Sequence, residues 1–244
     1  MSGALALVGS GEYLPVMEPV ENALLSAAIN KGKSNTFVQL PTAAGREGEK
    51  SLDYWRSIGA EQAERLKTTA VFLPIFNGED AQRQDLADLI DNAGLIYLSG
   101  GDPGYLADTL RGTVVWQAIE RNWQAGSSLA GCSAGAMAMG SDVPNFMKMR
   151  KAGVEGLAVV GHIRTIPHYN KFFGWVPDSA AKVLLRAPED TIVIGIDEST
   201  ALVTGLHEGA TFENRLWEVH GLGGVHILEG APAATYHEGD RVSL

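Results

Sequence analysis

The sequence predicts an α/β protein with a doubly wound, mostly parallel sheet, helices on both faces and an antiparallel extension near the C-terminus. Two observations carry this prediction. Short apolar runs alternate with segments of helical periodicity over the first half of the 244 residues, and this order requires parallel strands. After residue 203, short alternating pieces separated by glycines indicate antiparallel strands. No linker-like stretch divides the sequence, so we expect one catalytic domain over residues 1–244.

The first elements follow from these patterns in chain order. Continuous apolar runs are typical of strands that are buried on both faces, and they occur at residues 4–8, 36–40, 71–73 and 95–98. Between the strands, apolar positions at helical spacing predict helices at residues 17–30, 47–58, 81–92 and 114–123, with a further helical stretch at 60–67.

The second half of the sequence continues the pattern less regularly. Residues 127–130 predict a strand and 136–139 a helix. Residues 156–160 predict another strand, 178–186 a helix, and 191–196 the last long buried strand of the core. Residues 41–49 and 141–153 predict loops that wall off a compact pocket. Ligands of such sheets bind beyond the carboxyl ends of the strands, and we expect the site there.

Composition excludes several classes of function. The net charge of −10 disfavours nucleic acid and anionic membranes as partners. A single cysteine excludes an internal disulfide framework, and no apolar run reaches the roughly 18 residues of a membrane span. The N-terminus shows no secretory signal. We therefore expect a cytoplasmic protein that binds neither metal nor cofactor; a homodimer is compatible with the sequence.

One short motif carries the chemistry. Residues 131–135 read G-C-S-A-G, the pattern of a sharp strand-to-helix turn that presents a serine hydroxyl for attack. Side chains two positions before and after that serine would collide, and Gly131 and Gly135 remove them. The competing nucleophile is Cys132, but its flanking positions 130 and 134 are alanines rather than glycines. The spacing favours Ser133.

A serine nucleophile needs a base, and the base needs an orienting acid. Of six histidines, His162 and His168 follow the predicted strand at 156–160, and we favour His168 because Pro167 fixes the backbone before it. Asp197 and Glu198 end a predicted strand and point to opposite faces, so only one of them can serve. The Ala134 N–H is the natural first oxyanion donor and Gly101 the second.

These motifs together resemble a known family. G-C-S-A-G-A, the upstream S-G-G-D loop, the P-H-Y segment and the downstream G-I-D-E-S-T-A are similar to the serine peptidases that include cyanophycinase and dipeptidase E, which have the class I glutamine amidotransferase-like fold. The resemblance implies a nucleophile, base and acid at Ser133, His168 and Glu198, and oxyanion donors at Gly101 and Ala134. We expect substrate contacts from Gly100, Asp102, Tyr169 and Asn170.

The residues around the histidine bear on the substrate. Cyanophycinases carry an aspartate and a glutamine before it and arginines after it, whereas this sequence has Ile166 and Pro167 before it and Lys171 soon after. The P-H-Y segment is more similar to dipeptidase E. We therefore expect cleavage of an amide in a small peptide or amino-acid conjugate, with Asp-X dipeptides favoured over β-aspartyl-arginine. Candidate cations for a substrate carboxylate are Arg46, Lys148, Arg150, Arg164 and Lys171.

Three alternatives stay open from the sequence. The first is a cyanophycinase-like exopeptidase, which shares the motifs but differs in substrate. The second is a glutamine amidotransferase-like enzyme that uses Cys132. The third is a binding module that retains the fold without catalysis.

Overall fold

The computed structural model describes residues 2–144, 153–175, 190–207 and 212–244. The strands are β1 (Leu5–Val8), β2 (Thr36–Leu40), β3 (Thr69–Phe72), β4 (Leu95–Leu98), β5 (Ser128–Cys132), β6 (Asp142–Val143), β7 (Val154–Glu155), β8 (Ile163–Ile166), β9 (Ile192–Ile196), β10 (Thr200–Thr204), β11 (Leu216–Gly221), β12 (Val225–Glu229), β13 (Ala234–Tyr236) and β14 (Arg241–Ser243). The helices are α1 (Glu18–Asn30), α2 (Glu49–Arg65), α3 (Gln84–Asp88), α4 (Pro103–Leu110), α5 (Val114–Gln124), α6 (Ala134–Ala138) and α7 (Tyr169–Trp175).

An eight-stranded sheet forms the centre of the molecule, in the order β14-β11-β10-β1-β5-β4-β2-β3. Five neighbouring strands, β1, β5, β4, β2 and β3, are parallel. Beyond β1, the strands β10, β11 and β14 are antiparallel. The mostly parallel sheet and its antiparallel extension toward the C-terminus are therefore confirmed.

Apolar residues cover both faces of this sheet. Along β1, Leu5 and Leu7 pack into one core cluster, while Ala6 and Val8 pack into the other, as strand alternation requires. The first cluster includes residues of α5 and the second residues of α1. Helices thus lie on both faces, and the parallel strands read as continuous apolar runs because neither face meets water.

One prediction about the second half was wrong. Residues 156–160 form no strand: the backbone N–H groups of Leu157 and Val160 donate to Ala138 and Met139 at the end of α6, so this apolar stretch packs against a helix. The strand lies further on, at β8. The buried strand predicted at 191–196 is confirmed as β9; it belongs to a separate four-stranded sheet, β13-β12-β9-β8, in which it runs parallel to β8.

Several helix boundaries differ from those predicted from the sequence. Helix α2 continues through the break expected near residue 59, and α3 is shorter than its apolar pattern indicated. Helix α4 was not predicted; Asp102 caps it by accepting the Tyr105 N–H at 2.9 Å. The helix predicted at residues 178–186 lies outside the described residues. Of the helices described, none has the length and apolarity to cross a bilayer.

Candidate active site

The turn between β5 and α6 holds Ser133 in a rare backbone conformation, with φ 50° and ψ −108°. A Cβ on Gly131 would lie 2.6 Å from the carbonyl carbon of Gly135, and one on Gly135 would lie 2.3 Å from the Leu98 oxygen. Any side chain would therefore clash at both positions. The two glycines let the turn close tightly enough to lift the Ser133 side chain off the end of the sheet.

Three predicted side chains from distant segments meet at this turn. Ser133 Oγ lies 3.1 Å from His168 Nε2, and His168 Nδ1 lies 3.1 Å from Glu198 Oε1. A proton on Nδ1 that is donated to the carboxylate leaves Nε2 free to accept the serine proton. The arrangement has the hydrogen-bond order of a nucleophile, a base and an orienting acid. His162 lies at the other end of β8, before the strand begins.

Glu198 is held by the segment that carries the histidine. The Lys171 ammonium lies 2.5 Å from Glu198 Oε2, and Asn170 Oδ1 accepts the Glu198 backbone N–H at 3.2 Å. The hydrogen bond from Lys171, followed by that from His168, lowers the pKa of Glu198 despite partial burial. Asn170 and Lys171, which we had expected near the substrate, thus contact the acid instead.

Cys132, unlike its neighbour Ser133, is enclosed by the protein. Its side chain is fully buried, and the thiol donates to Glu12 Oε2 at 2.8 Å. Burial, reinforced by the Glu12 charge, raises the pKa of the Cys132 thiol well above its usual value. A cysteine nucleophile reacts as the exposed thiolate, and this site disfavours that form.

Residues 8–12, at the end of β1 and just after it, connect the separate parts of the site. The carbonyl oxygens of Val8, Gly9 and Ser10 accept backbone N–H groups from Ser133, His168 and Ser199 at 2.9, 3.3 and 3.1 Å. Glu12 adds a side-chain acceptor for the Gly100 N–H at 2.9 Å. Sequence reasoning did not identify this stretch, because carbonyl acceptors leave no side-chain signature.

Four non-glycine residues around the site have positive φ angles. They are Tyr13 at 62°, Ser133 at 50°, His168 at 51° and Ser199 at 56°. Each such residue costs free energy relative to the usual regions and persists where its surroundings hold it. The hydrogen bonds to residues 8–12 supply that restraint for three of the four.

The predicted oxyanion donors lie at the ends of β4 and β5. Gly101 has φ 138°, and a Cβ there would lie 2.5 Å from the backbone of Ala43, so only glycine fits. The Gly100 N–H is already taken by Glu12. Within the part of the chain described, the N–H groups of Gly101 and Ala134 have no hydrogen-bond acceptor. They remain available to a ligand.

Comparisons with known proteins identify the family of this chain. The model of peptidase family S51 matches residues 5–210. The chain belongs to this family. It is therefore a serine-type peptidase, as the sequence predicted. The crystal structure of a peptidase from an acI-B1 Actinobacterium is 49% identical and superposes with a TM-score of 0.94, covering 100% of this chain and 98% of the other.

A more distant solved structure shares the fold. A protein from Listeria monocytogenes EGD-e, provisionally assigned as peptidase E, is 18% identical with a TM-score of 0.59, covering 97% of this chain and 99% of the other. No curated protein matches the sequence. The family supports a peptide substrate but leaves its identity open.

Two clefts of the peptidase meet at Gly101. One, of about 430 Å³, contains Ser133, His168 and Glu198 and is walled by Glu12 and Trp55 among others. The second, of about 770 Å³, runs past α4 and the paired strands β6 and β7.

The residues expected to bind substrate are distributed unevenly. Gly100 lines the Ser133 cleft. Asp102 lines the larger cleft, but its carboxylate caps α4. Tyr169 and Asn170 line neither cleft: the Tyr169 ring packs 4.8 Å from the His226 ring, and Asn170 contacts Glu198.

Of the five candidate cations, one lines a cleft without an acidic partner. Arg164 is buried and pairs with Asp142, and Lys171 pairs with Glu198. Lys148 and Arg150 lie outside the described residues. Arg46 is exposed on the larger cleft, with its guanidinium 4.0 Å from the centre of the Tyr105 ring, and forms no ion pair with any described residue. Among those residues, no group of three or more His, Cys, Asp or Glu side chains could hold a metal ion.

Proposed function

We propose that this peptidase hydrolyses an amide bond in a small peptide or amino-acid conjugate, in the manner of dipeptidase E, through Ser133, His168 and Glu198. The observation that carries the proposal is the chain of two 3.1 Å hydrogen bonds from Ser133 to Glu198, which opens into the cleft of about 430 Å³. A cleft of this size lies within the range of small-molecule sites. That size supports a small substrate.

Each residue has a distinct step in the proposed reaction. His168 Nε2 removes the Ser133 proton while Oγ attacks the scissile carbonyl, and the N–H groups of Gly101 and Ala134 stabilise the oxyanion. The imidazolium then gives its proton to the leaving amine, which releases the first product and leaves an acyl-serine. Water attacks that ester with the same base. Glu198 orients the Nδ1–H and stabilises the imidazolium.

The position of Arg46 is suited to a substrate that carries a carboxylate. Its guanidinium can form paired hydrogen bonds with a carboxylate, and the larger cleft that it lines shares Gly101 with the Ser133 cleft. This favours Asp-X dipeptides as the first substrates to examine. A cyanophycinase-like specificity is less well supported, because the arginines that follow the histidine in those enzymes are absent from this sequence.

The nucleophile assignment is tested by a matched pair of neighbours. Ser133→Ala should abolish hydrolysis and covalent labelling by a small fluorophosphonate, whereas Cys132→Ala should keep most of both. Intact mass and hydrolysis of an Asp-X dipeptide are the measurements. Activity that survives in the serine variant but not in the cysteine variant would sink the proposal, as would a folded wild-type protein that takes no label.

The substrate class is tested with a panel on the same preparation. Asp-X dipeptides should be cleaved efficiently, β-aspartyl-arginine poorly and casein not at all. Arg46→Gln should raise KM for Asp-X peptides, and Arg56→Gln, which changes an exposed arginine paired with Asp53 on α2, is the matched control. Efficient degradation of casein or of β-aspartyl-arginine polymer would overturn the small-peptide proposal.

A further inference from the structure

Glu12 is a buried carboxylate on the wall of the Ser133 cleft that the proposed reaction does not use. Its side chain is 7% exposed. Oε1 accepts the Gly100 N–H at 2.9 Å and Oε2 accepts the Cys132 thiol at 2.8 Å. Both donors are neutral, and a carboxylate offers about four acceptor positions. The carboxylate therefore keeps acceptor capacity toward the cleft.

Ion pairs to Glu12 are absent from the part of the chain that the structure describes. Among the described residues, no Lys, Arg or His side chain forms an ion pair with Glu12, and the side chains that line the cleft include no lysine or arginine. A buried carboxylate is costly unless an opposite charge or strong hydrogen bonds compensate it. A positively charged group of the substrate would provide that compensation.

The rest of the wall is suited to a small ammonium group. Leu14, Tyr54, Trp55 and Ile58 line the same cleft, and the Trp55 ring edge lies 3.6 Å from the position of a Cβ on Gly100. Aromatic rings attract cations. Apolar walls also exclude water and so strengthen the attraction between an ammonium and a carboxylate.

Distances place this carboxylate close to Ser133. The Cβ position of Gly100 lies 2.8 Å from Glu12 Oε1 and 3.7 Å from Ser133 Cβ. Glu12 and Ser133 are therefore separated by little more than the width of Gly100. In an amino acid the α-nitrogen is about 2.5 Å from its carbonyl carbon, and a serine oxygen attacks from roughly 3 Å. An α-nitrogen hydrogen-bonded to Glu12 would thus put its own carbonyl within reach of Ser133.

We propose that Glu12 binds the free α-ammonium of the residue whose carbonyl Ser133 attacks, so that the peptidase acts only on unblocked N-termini. The inference rests on the proposed function. A lysine or arginine side chain carries its charge at the end of a long flexible stem, too far from its own carbonyl for the short spacing above. Glu12 is therefore a specificity-determining residue.

The test compares one dipeptide with its N-acetylated form. Wild type should cleave the free dipeptide at least 100-fold better in kcat/KM. Glu12→Gln keeps an amide oxygen for the Gly100 N–H but removes the charge, and it should reduce that ratio to below about tenfold, mainly by raising KM for the free dipeptide. Cys132→Ala, which removes only the thiol, is the matched control and should keep the wild-type ratio.

A pH profile separates recognition from a purely structural role. The α-amino group loses its proton near pH 8, so kcat/KM of wild type for the free dipeptide should fall above that pH relative to the acetylated one. In Glu12→Gln the relative fall should disappear. Labelling of Ser133 by the fluorophosphonate, which has no ammonium, should proceed at the wild-type rate in this variant.

Each contrary result has a clear meaning. Equal cleavage of free and acetylated dipeptides by wild type overturns the role of Glu12 while leaving the hydrolase intact. Loss of fluorophosphonate labelling in Glu12→Gln also overturns it, because the residue then only supports the loop. Preference for an acetylated lysyl or arginyl peptide would assign Glu12 to a side chain instead. Failure of the proposed function differs from all three, since neither dipeptide would be cleaved and Ser133 would not be labelled.

Discussion

Two histidine–carboxylate pairs lie side by side in this molecule and differ in what their second ring nitrogens meet. His168 and His226 contact Glu198 and Asp197, each with a nitrogen to oxygen distance of 3.1 Å. The two acids are neighbours in the chain and hold different histidines, in line with the opposite faces expected at the end of β9. The second ring nitrogen of His168, Nε2, lies 3.1 Å from Ser133 Oγ in an open cleft, whereas that of His226, Nδ1, lies 3.0 Å from Thr235 Oγ1.

Both ring nitrogens of His226 and both carboxylate oxygens of Asp197 have hydrogen-bond partners within the protein. Asp197 Oδ2 also accepts the Gly224 N–H at 2.9 Å, and the His226 ring packs against Tyr169, the residue that follows His168. This pair ties β9 to β12 and supports the His168 segment from behind. An acid 3.1 Å from a histidine therefore does not define a reactive site; the group at the other nitrogen does.

Removing each histidine should give the largest contrast. His168→Ala should reduce turnover by roughly 10⁵-fold, because the serine loses its base. His226→Ala should keep turnover near the wild-type value but lower the free energy of unfolding by about 2 kcal/mol, since partly buried hydrogen bonds are lost. Dipeptide hydrolysis and urea denaturation measure the two effects.

Two results would contradict this contrast. If His226→Ala, at a temperature where it remains folded, lost as much turnover as His168→Ala, the two pairs would not be functionally distinct. A normal rate of Ser133 labelling in His168→Ala would equally contradict the role given to that histidine.

Exchanging each acid for its amide should give the next largest contrast. Glu198→Gln should lower turnover by roughly 10³-fold, because the amide neither fixes the histidine tautomer nor stabilises the imidazolium. Asp197→Asn should cost about 1 kcal/mol of stability and little activity, because it weakens the bonds to His226 and Gly224. With both variants folded, the reverse ranking of turnover would move the orienting role to Asp197.

The same comparison shows what sequence could predict and what it could not. The G-x-S-x-G turn was predictable because Gly131 and Gly135 are needed by local contacts, and the strands were predictable where both faces are buried. Residues 156–160 were mistaken for a strand because an apolar run that packs on a helix has the same composition. The sheet that contains β9 depends on partners far along the chain.

Some contacts within the site could likewise be predicted from the sequence, and others could not. Side-chain chemistry indicated Ser133, His168 and Glu198 as candidates, and the structure brings them together. The carbonyl groups of residues 8–10 could not be identified, because any residue offers a carbonyl. Lys171 was expected to face the substrate; its charge was visible in the sequence, but its partner was not.

Removing the charge of Lys171, which pairs with Glu198, should give the smallest effect. The variant tests whether the two acids, Glu198 and Asp197, differ in having a neighbouring cation. Lys171 lowers the pKa of Glu198, and no lysine or arginine forms an ion pair with Asp197 among the described residues. Lys171→Met keeps the aliphatic stem and removes the charge. Because the Lys171 side chain is 58% exposed, solvent screening limits the loss to about 0.5 kcal/mol of unfolding free energy at pH 7.

The sign of the pH dependence follows from the lowered pKa. A carboxyl whose folded pKa is depressed contributes stability above its unfolded pKa, which is about 4.3 for glutamate, and loses it as pH falls through the folded value. The difference between wild type and Lys171→Met should therefore be full at pH 7 and shrink steadily below about pH 4. Urea denaturation across that range measures it, with Lys50→Met, at an exposed lysine of α2, as the control that should show no such trend. A difference that stayed constant down to pH 3 would mean that Lys171 acts through packing of its stem, and the charge distinction between the two acids would then be lost.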